Sequence, residues 1–290
     1  MFFNLCDLLR FLLCQQIFTW LLFWSLCVNK QHFFPEEQAD EAGQLHLVTG
    51  LQCDKAEIVR ALIATGIIAL AGWWSLPWLK SQLPAQWNPF IPLNVTDAPG
   101  WITRYKLEKL RHDPAACLAA LERASAQGRV SFRTTPPVRG DCTIEQPVRI
   151  SQFGPVTLSS SFLASCPMAV ASTMYVTRSN AALQQAGITS PLRRIEHVGS
   201  YACRNVYHRQ QGRRSEHATA EAWDVTAFQL ADGRWLRVAR NWQQPASSAA
   251  GLHALWRNGC ASFGNALGPD YNAAHTTHFH LGMRGGGFCR

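Results

Sequence analysis

The 290-residue sequence has no run of basic residues and no basic helix, although its formal net charge is +8. Chains that bind nucleic acid gather Lys and Arg on one face or along one helix. Here they scatter through the second half of the chain, as on an ordinary solvated surface. Nucleic acid is therefore set aside, and the positive balance points to a membrane surface or an acidic wall polymer. Internal repeats and low-complexity segments are absent too, which excludes repeat arrays. No CxxC pair occurs among Cys117, Cys142, Cys166, Cys203, Cys260 and Cys289, which argues against a cysteine zinc site. There is no Ala before Ala39 and no Gly before Gly43. That bias sets residues 1–57 apart as an atypical segment, either a misplaced start or a second hydrophobic span.

What is present is enough for one good-sized domain with attachments: 47% of the residues are hydrophobic. The six cysteines above are an even number, spread through the second part, with the last beside the C-terminus. They predict a disulfide framework in an oxidising compartment. Every residue from Ala61 to Leu79 is uncharged, about the length of a bilayer-crossing helix. Trp73, Trp74 and Trp78 gather at its C-terminal end, where aromatic rings favour the headgroup region. A transmembrane helix is expected over 58–80. Lys55 and Arg60 put its N-terminal side in the cytoplasm by the positive-inside rule. The expected location is the inner (cytoplasmic) membrane, crossed once, with the C-terminal domain in the periplasm or outside the cell. A cleaved signal peptide is the alternative, but the run is long for one and lacks a small-x-small cleavage site. Phe11 to Val28 is uncharged as well. A second span there would return the domain to the side on which the N-terminus began.

Residues 81–100 hold Pro84, Pro89, Pro92 and Pro99 and read as an extended linker. The globular region is expected over 101–290. Asp113 as N-cap and Pro114 at the first helical position open a helix to about Ala126. Short strands are expected at Val148–Gln152 and Val156–Leu158, and a helix from Ser165 to about Ala186, ended by Gly187. Ile195 to Val206 is β-rich. Asp232-Gly233 marks a hairpin between Trp223–Leu230 and Arg234–Val238. Helices first, strands later and no βαβ alternation predict an α+β fold with a small antiparallel sheet.

Two segments carry chemistry. Ser215-Glu-His217 begins a motif that places His217 seven residues before Asp224. His275-Thr-Thr-His-Phe-His280 puts three of the ten histidines within six residues. On a strand His278 and His280 share a face. Imidazole nitrogen and carboxylate oxygen suit zinc when thiolates are absent, and three protein ligands leave an open position for catalysis. HxxxxxxD and HxH are each common by chance, and surface histidines with a solvated Asp224 are the competing reading. Against that, Asp224 lies within the apolar strand AWDVTAF, where an unpaired carboxylate is costly.

The residues also carry a resemblance. Gly199-Ser-Tyr-Ala-Cys-Arg204, Ser215-Glu-His217, Ala222-x-Asp-Val225, Ala231-Asp-Gly233, Leu267-Gly-Pro-Asp-Tyr-Asn-Ala-Ala-His275, His278-Phe-His-Leu281 and Phe288-Cys-Arg290 resemble the bacterial extensin-like C-terminal domain. That domain in turn resembles zinc metallopeptidases: the D-alanyl-D-alanine carboxypeptidases, the penicillin-insensitive murein endopeptidase and the hedgehog domain. The resemblance implies helices packed on a small sheet carrying zinc, with His217, Asp224 and His280 as ligands. It gives His278 the place of the catalytic base and His275 that of a second active-site histidine. Arg204 is the candidate for steadying a substrate carboxylate or oxyanion. The implied activity is hydrolysis of peptidoglycan peptide bonds next to D-amino acids. A non-catalytic zinc-containing wall-binding module is the alternative, since the hedgehog domain keeps such a site for another job. A metal-free adhesion domain is a third.

Several departures weigh on catalysis. The glutamate base of an E-x-x-H motif is absent, Ala220 stands where Gly is usual, and bulky Trp223 is expected to narrow the cleft beside Asp224. Chain order and the resemblance together suggest disulfides Cys117–Cys142, Cys166–Cys203 and Cys260–Cys289, among the many connectivities that six cysteines allow. Nothing in the sequence fixes an oligomeric state.

Overall fold

A computed structural model describes residues 55–84 and 86–290. The Phe11 to Val28 segment and Cys6, Cys14, Cys27 and Cys53 lie outside the described residues. The chain divides into two units, Met1–Gln82 and Leu83–Arg290.

In the first unit, α1 (Lys55–Gln82) is a single helix of 28 residues. At 1.5 Å per residue it is about 42 Å long, more than the roughly 30 Å of a bilayer's hydrocarbon core. Over Ile58–Gln82 it is long and apolar enough to cross a membrane. Its large apolar side chains, among them Leu62, Ile67, Ile68, Leu70, Trp73, Trp74 and Trp78, are exposed.

The second unit begins at Leu83, so residues of the proline-rich segment belong to it. Leu93 and Val95 are buried in its core. Three helices follow early: α2 (Trp101–Leu110), α3 (Pro114–Ala126) and α4 (Cys166–Gln185). Asp113 caps α3 by accepting from the Ala116 amide at 2.9 Å, and Pro114 opens it, as the sequence predicts. α4 is buried along most of its first three turns and packs against α2, α3 and the sheet. It ends before Gly187, whose φ of +79° favours glycine.

The strands are β1 (Ser131–Thr134), β2 (Pro147–Phe153), β3 (Val156–Ser165), β4 (Leu192–Gly199), β5 (Ala222–Leu230), β6 (Trp235–Arg237), β7 (Asn265–Leu267), β8 (Phe279–Gly282) and β9 (Phe288–Cys289). Short α5 (Val238–Asn241) and longer α6 (Ala246–Ser262) connect β6 to β7. One mixed sheet runs β1-β2-β3-β4-β5-β8-β7-β9, with β6 also on β5. The α+β class stands, but the expectation of a small antiparallel sheet does not: β3 pairs β4 in parallel, as β7 does β9. The missed piece is a βαβ unit, β3-α4-β4. Its first strand is longer than the apolar Val156–Leu158, because it continues through the solvent-facing serines Ser159, Ser160 and Ser161. The β-rich stretch from Ile195 is a strand only to Gly199, and Gly233 closes the β5–β6 hairpin at φ +87°.

The disulfides correct the sequence reading. They are Cys117–Cys166, Cys142–Cys203 and Cys260–Cys289. Only the last matches. The buried Cys117 on α3 meets Cys166 at the start of α4, because those two helices pack together. Cys142 instead holds the loop after β4, where Tyr201 Oη also donates to the Cys142 carbonyl at 3.1 Å.

Candidate metal centre

β5 and β8 pair antiparallel in a register that sets Asp224 directly opposite His280. Directly opposed residues share a face of the sheet. His217 comes from a one-turn 3-10 helix, Glu216–Thr219, just before β5. Ser215 Oγ caps that turn by accepting from the His217 amide at 3.3 Å. The turn leaves through Ala220 at φ +51°, a conformation that explains why glycine suits this position.

The three side chains offer ligand atoms that all lie within 4.8 Å of one another, a grouping that could hold a metal ion. Asp224 Oδ2 lies 3.1 Å from His217 Nε2, and its Oδ1 accepts from His280 Nδ1 at 2.9 Å. Each imidazole is held from its far side. His217 Nδ1 donates to the Ser200 carbonyl at 3.0 Å, which turns Nε2 toward Asp224. His280 Nε2 lies 3.5 Å from Glu216 Oε2, which leaves Nδ1 inward. Such outer partners fix tautomer and ring orientation in metal-binding histidines. Two oriented imidazoles and one carboxylate, brought this close together, are a donor set that suits a metal ion.

Glu216 carries a role that the sequence reading missed. Its Oε1 accepts from the Arg284 amide at 2.7 Å and its Oε2 from Asn265 Nδ2 at 2.9 Å. Gly282 makes room for it: a Cβ there would meet Glu216 Oε2 and Asn265 Nδ2 at 2.6 Å. The signal was its place beside His217, but Ser215-Glu-His217 alone does not say which way the carboxylate turns.

The charges follow. Burial opposes protonated His280, but hydrogen bonds to Asp224 and Glu216 outweigh it and hold its pKa up at about 9. Burial likewise opposes ionised Asp224, yet the two histidines hold its carboxyl below the usual carboxylate range. Glu216 is lowered against the same burial by His280, the Arg284 amide and Asn265.

His278 precedes β8, with Nε2 3.7 Å from Asp224 Oδ1. Burial keeps its pKa low. His275 stands against both neighbours, 5.4 Å from the His278 ring and 5.7 Å from the His280 ring. Burial, then its proximity to His280 and His278, push it down to about 4. Its Nδ1 lies 2.8 Å from Asn272 Oδ1, and Asn272 Nδ2 donates to Tyr207 Oη at 3.2 Å. Tyr207 and His208 both have positive φ, 56° and 57°, at the rim of the cleft. Arg204 lines the same cleft, of about 580 Å³, together with His217, Asp224, His275, His278 and His280. All the predicted site residues thus come together.

Trp223 does not narrow this cleft. Successive side chains on a strand point to opposite faces. With Asp224 facing the site, Trp223 faces the core, wholly buried and stacked on Phe162 with centroids 4.8 Å apart.

Residues 115–290 match the family described as extensin-like protein C-terminus, and the chain belongs to that family. Comparison with curated proteins and with solved structures gives no match.

Proposed function

We propose that this protein is a membrane-anchored zinc hydrolase that cuts peptide bonds of peptidoglycan next to D-amino acids. The observation that carries the reading is the convergence of His217 Nε2, Asp224 and His280 Nδ1, with both rings oriented from behind and His278 alongside. Two imidazoles and a carboxylate are a donor set used by catalytic zinc in peptidases. Zinc in that place would supply Lewis-acid polarisation of a carbonyl and activation of water at neutral pH.

The chain's own residues do the rest. In this reading His278 Nε2 takes a proton from the attacking water and passes it to the leaving amine. Asn272 holds His275 at its Nδ1, so its Nε2 points away from that bond. Arg204 offers a cation to a substrate carboxylate or to the developing oxyanion. The wall polymer as substrate follows from the motif's resemblance to the carboxypeptidases and the murein endopeptidase, and the net positive charge suits an acidic polymer.

Three disulfides favour an oxidising compartment for the catalytic unit. With α1 as the single span, that unit lies in the periplasm or outside the cell. The test is incubation of the zinc-loaded protein with purified peptidoglycan and mass analysis of released peptides. The wild type is expected to release them, and His278→Ala is expected to lose roughly 10²–10⁴-fold in rate. Zinc binding with no release from any peptidoglycan type would favour the non-catalytic wall-binding module instead.

A further inference from the structure

We propose that residues 83–100 and the start of α2 form a surface that docks the globular unit on the lipid headgroup region of the membrane. The inference rests on the reading of α1 as a membrane span.

The segment is a strap fixed to its domain. Asn88, Leu93, Val95 and Asp97 are buried. The Arg123 guanidinium donates to the Leu93 carbonyl at 3.4 Å, and Lys106 Nζ lies 3.7 Å from Asp97 Oδ2, with both side chains almost wholly buried. Arg178 donates to the Asp97 carbonyl, and Thr103 Oγ1 to the Ala98 carbonyl at 2.6 Å. A strap held this way presents its remaining side chains in set positions.

Those remaining side chains are the wrong ones for water. Trp87 is 53% exposed and Ile91 37%. The series continues in α2, where Trp101 is 70% and Tyr105 49% exposed. Trp101, Tyr105 and Lys109 are spaced four residues apart and so share one helical face. Lys109 Nζ lies 5.5 Å from the Tyr105 ring centroid. Large exposed apolar patches on soluble units mark interaction sites. Trp and Tyr favour the membrane–water interface, where an apolar ring meets a polar edge, and a neighbouring cation suits anionic headgroups.

Chain length selects the bilayer as occupant. α1 ends at Gln82, and the buried Asn88 is six residues on. Six residues reach about 20 Å at full extension. A tether of that length lets a surface of Trp and Tyr reach the lipid in which such a helix sits.

The experiment uses the full chain in lipid nanodiscs, with a benzophenone amino acid at position 70, 87 or 105 and mass analysis of cross-linked products. Lipid adducts at position 70 in α1 and also at 87 and 105 are expected. Adducts at 70 alone would overturn the docking and leave the membrane span standing. Cross-links between copies at 87 or 105 in place of lipid would overturn it in favour of a second copy of the chain. No adduct at 70 would remove the span, and the docking with it.

Discussion

His280 Nε2 lies 3.5 Å from Glu216 Oε2, on the side of the ring away from Asp224. The contact turns Nδ1 toward Asp224 and His217, and so decides which nitrogen can serve a metal. Removing outer partners of metal-binding histidines typically costs about 10–100-fold in affinity. Glu216→Ala is therefore expected to weaken zinc by that order, with Glu216→Gln between it and the wild type. Competition against a fluorescent chelator measures this. Equal affinity in all three would show that Glu216 does not orient the ring.

The metal-free site carries a pH dependence. His280 has its pKa raised, from an ordinary value of about 6.5, to about 9 in the folded state. Its stabilising contribution is complete below the unfolded value and lost as pH rises through the folded one. The metal-free protein is thus expected to lose thermal stability between about pH 6.5 and 9, while the zinc-loaded protein, whose ligands are already deprotonated, does not. Melting curves with chelator and with zinc test the difference. Parallel curves would contradict it.

Trp223 gives a prediction on packing. Its ring lies among Phe162, Phe153 and His197 at the back of the strand that carries Asp224. Trp223→Ala should cost about 3–5 kcal/mol of stability, as other large-to-small changes of buried aromatics do, measured by denaturant unfolding. Unchanged stability together with altered turnover would place the ring in the cleft instead.

The cysteine pairs can be read by peptide mapping without reduction. Peptides joining Cys117 to Cys166 and Cys142 to Cys203 are expected. A peptide joining Cys117 to Cys142 would contradict the fold around α3 and α4. Cys117→Ser with Cys166→Ser should cost about 2–4 kcal/mol through the loop that the bond closes.

What the sequence made legible was local or chemically specific. The α3 cap is a side chain bonding three residues on, and the β5–β6 hairpin rests on one Asp-Gly pair. Asp224 stood out because a carboxylate within an apolar strand needs a reason, and the resemblance to the extensin-like domain, not the spacing, set His217 and His280 beside it. The register that sets Asp224 opposite His280 was not legible, because it joins residues 56 apart in sequence through packing rather than pattern. The parallel β3–β4 pairing stayed hidden because Ser159, Ser160 and Ser161 interrupt the apolar alternation. Two disulfides were mispaired because nearness in sequence does not report which helices pack. Trp223 was misplaced for want of one step, the alternation of faces along β5.

The central claim is that His217, Asp224 and His280 hold zinc. Metal analysis of the purified full-length protein, beside His280→Ala and His278→Ala, tests it most directly. One zinc per chain is expected in the wild type and in His278→Ala, and almost none in His280→Ala, which leaves two ligands where three are needed. A wild-type protein that takes up no zinc, or a His280→Ala protein that keeps a full equivalent, would contradict the account.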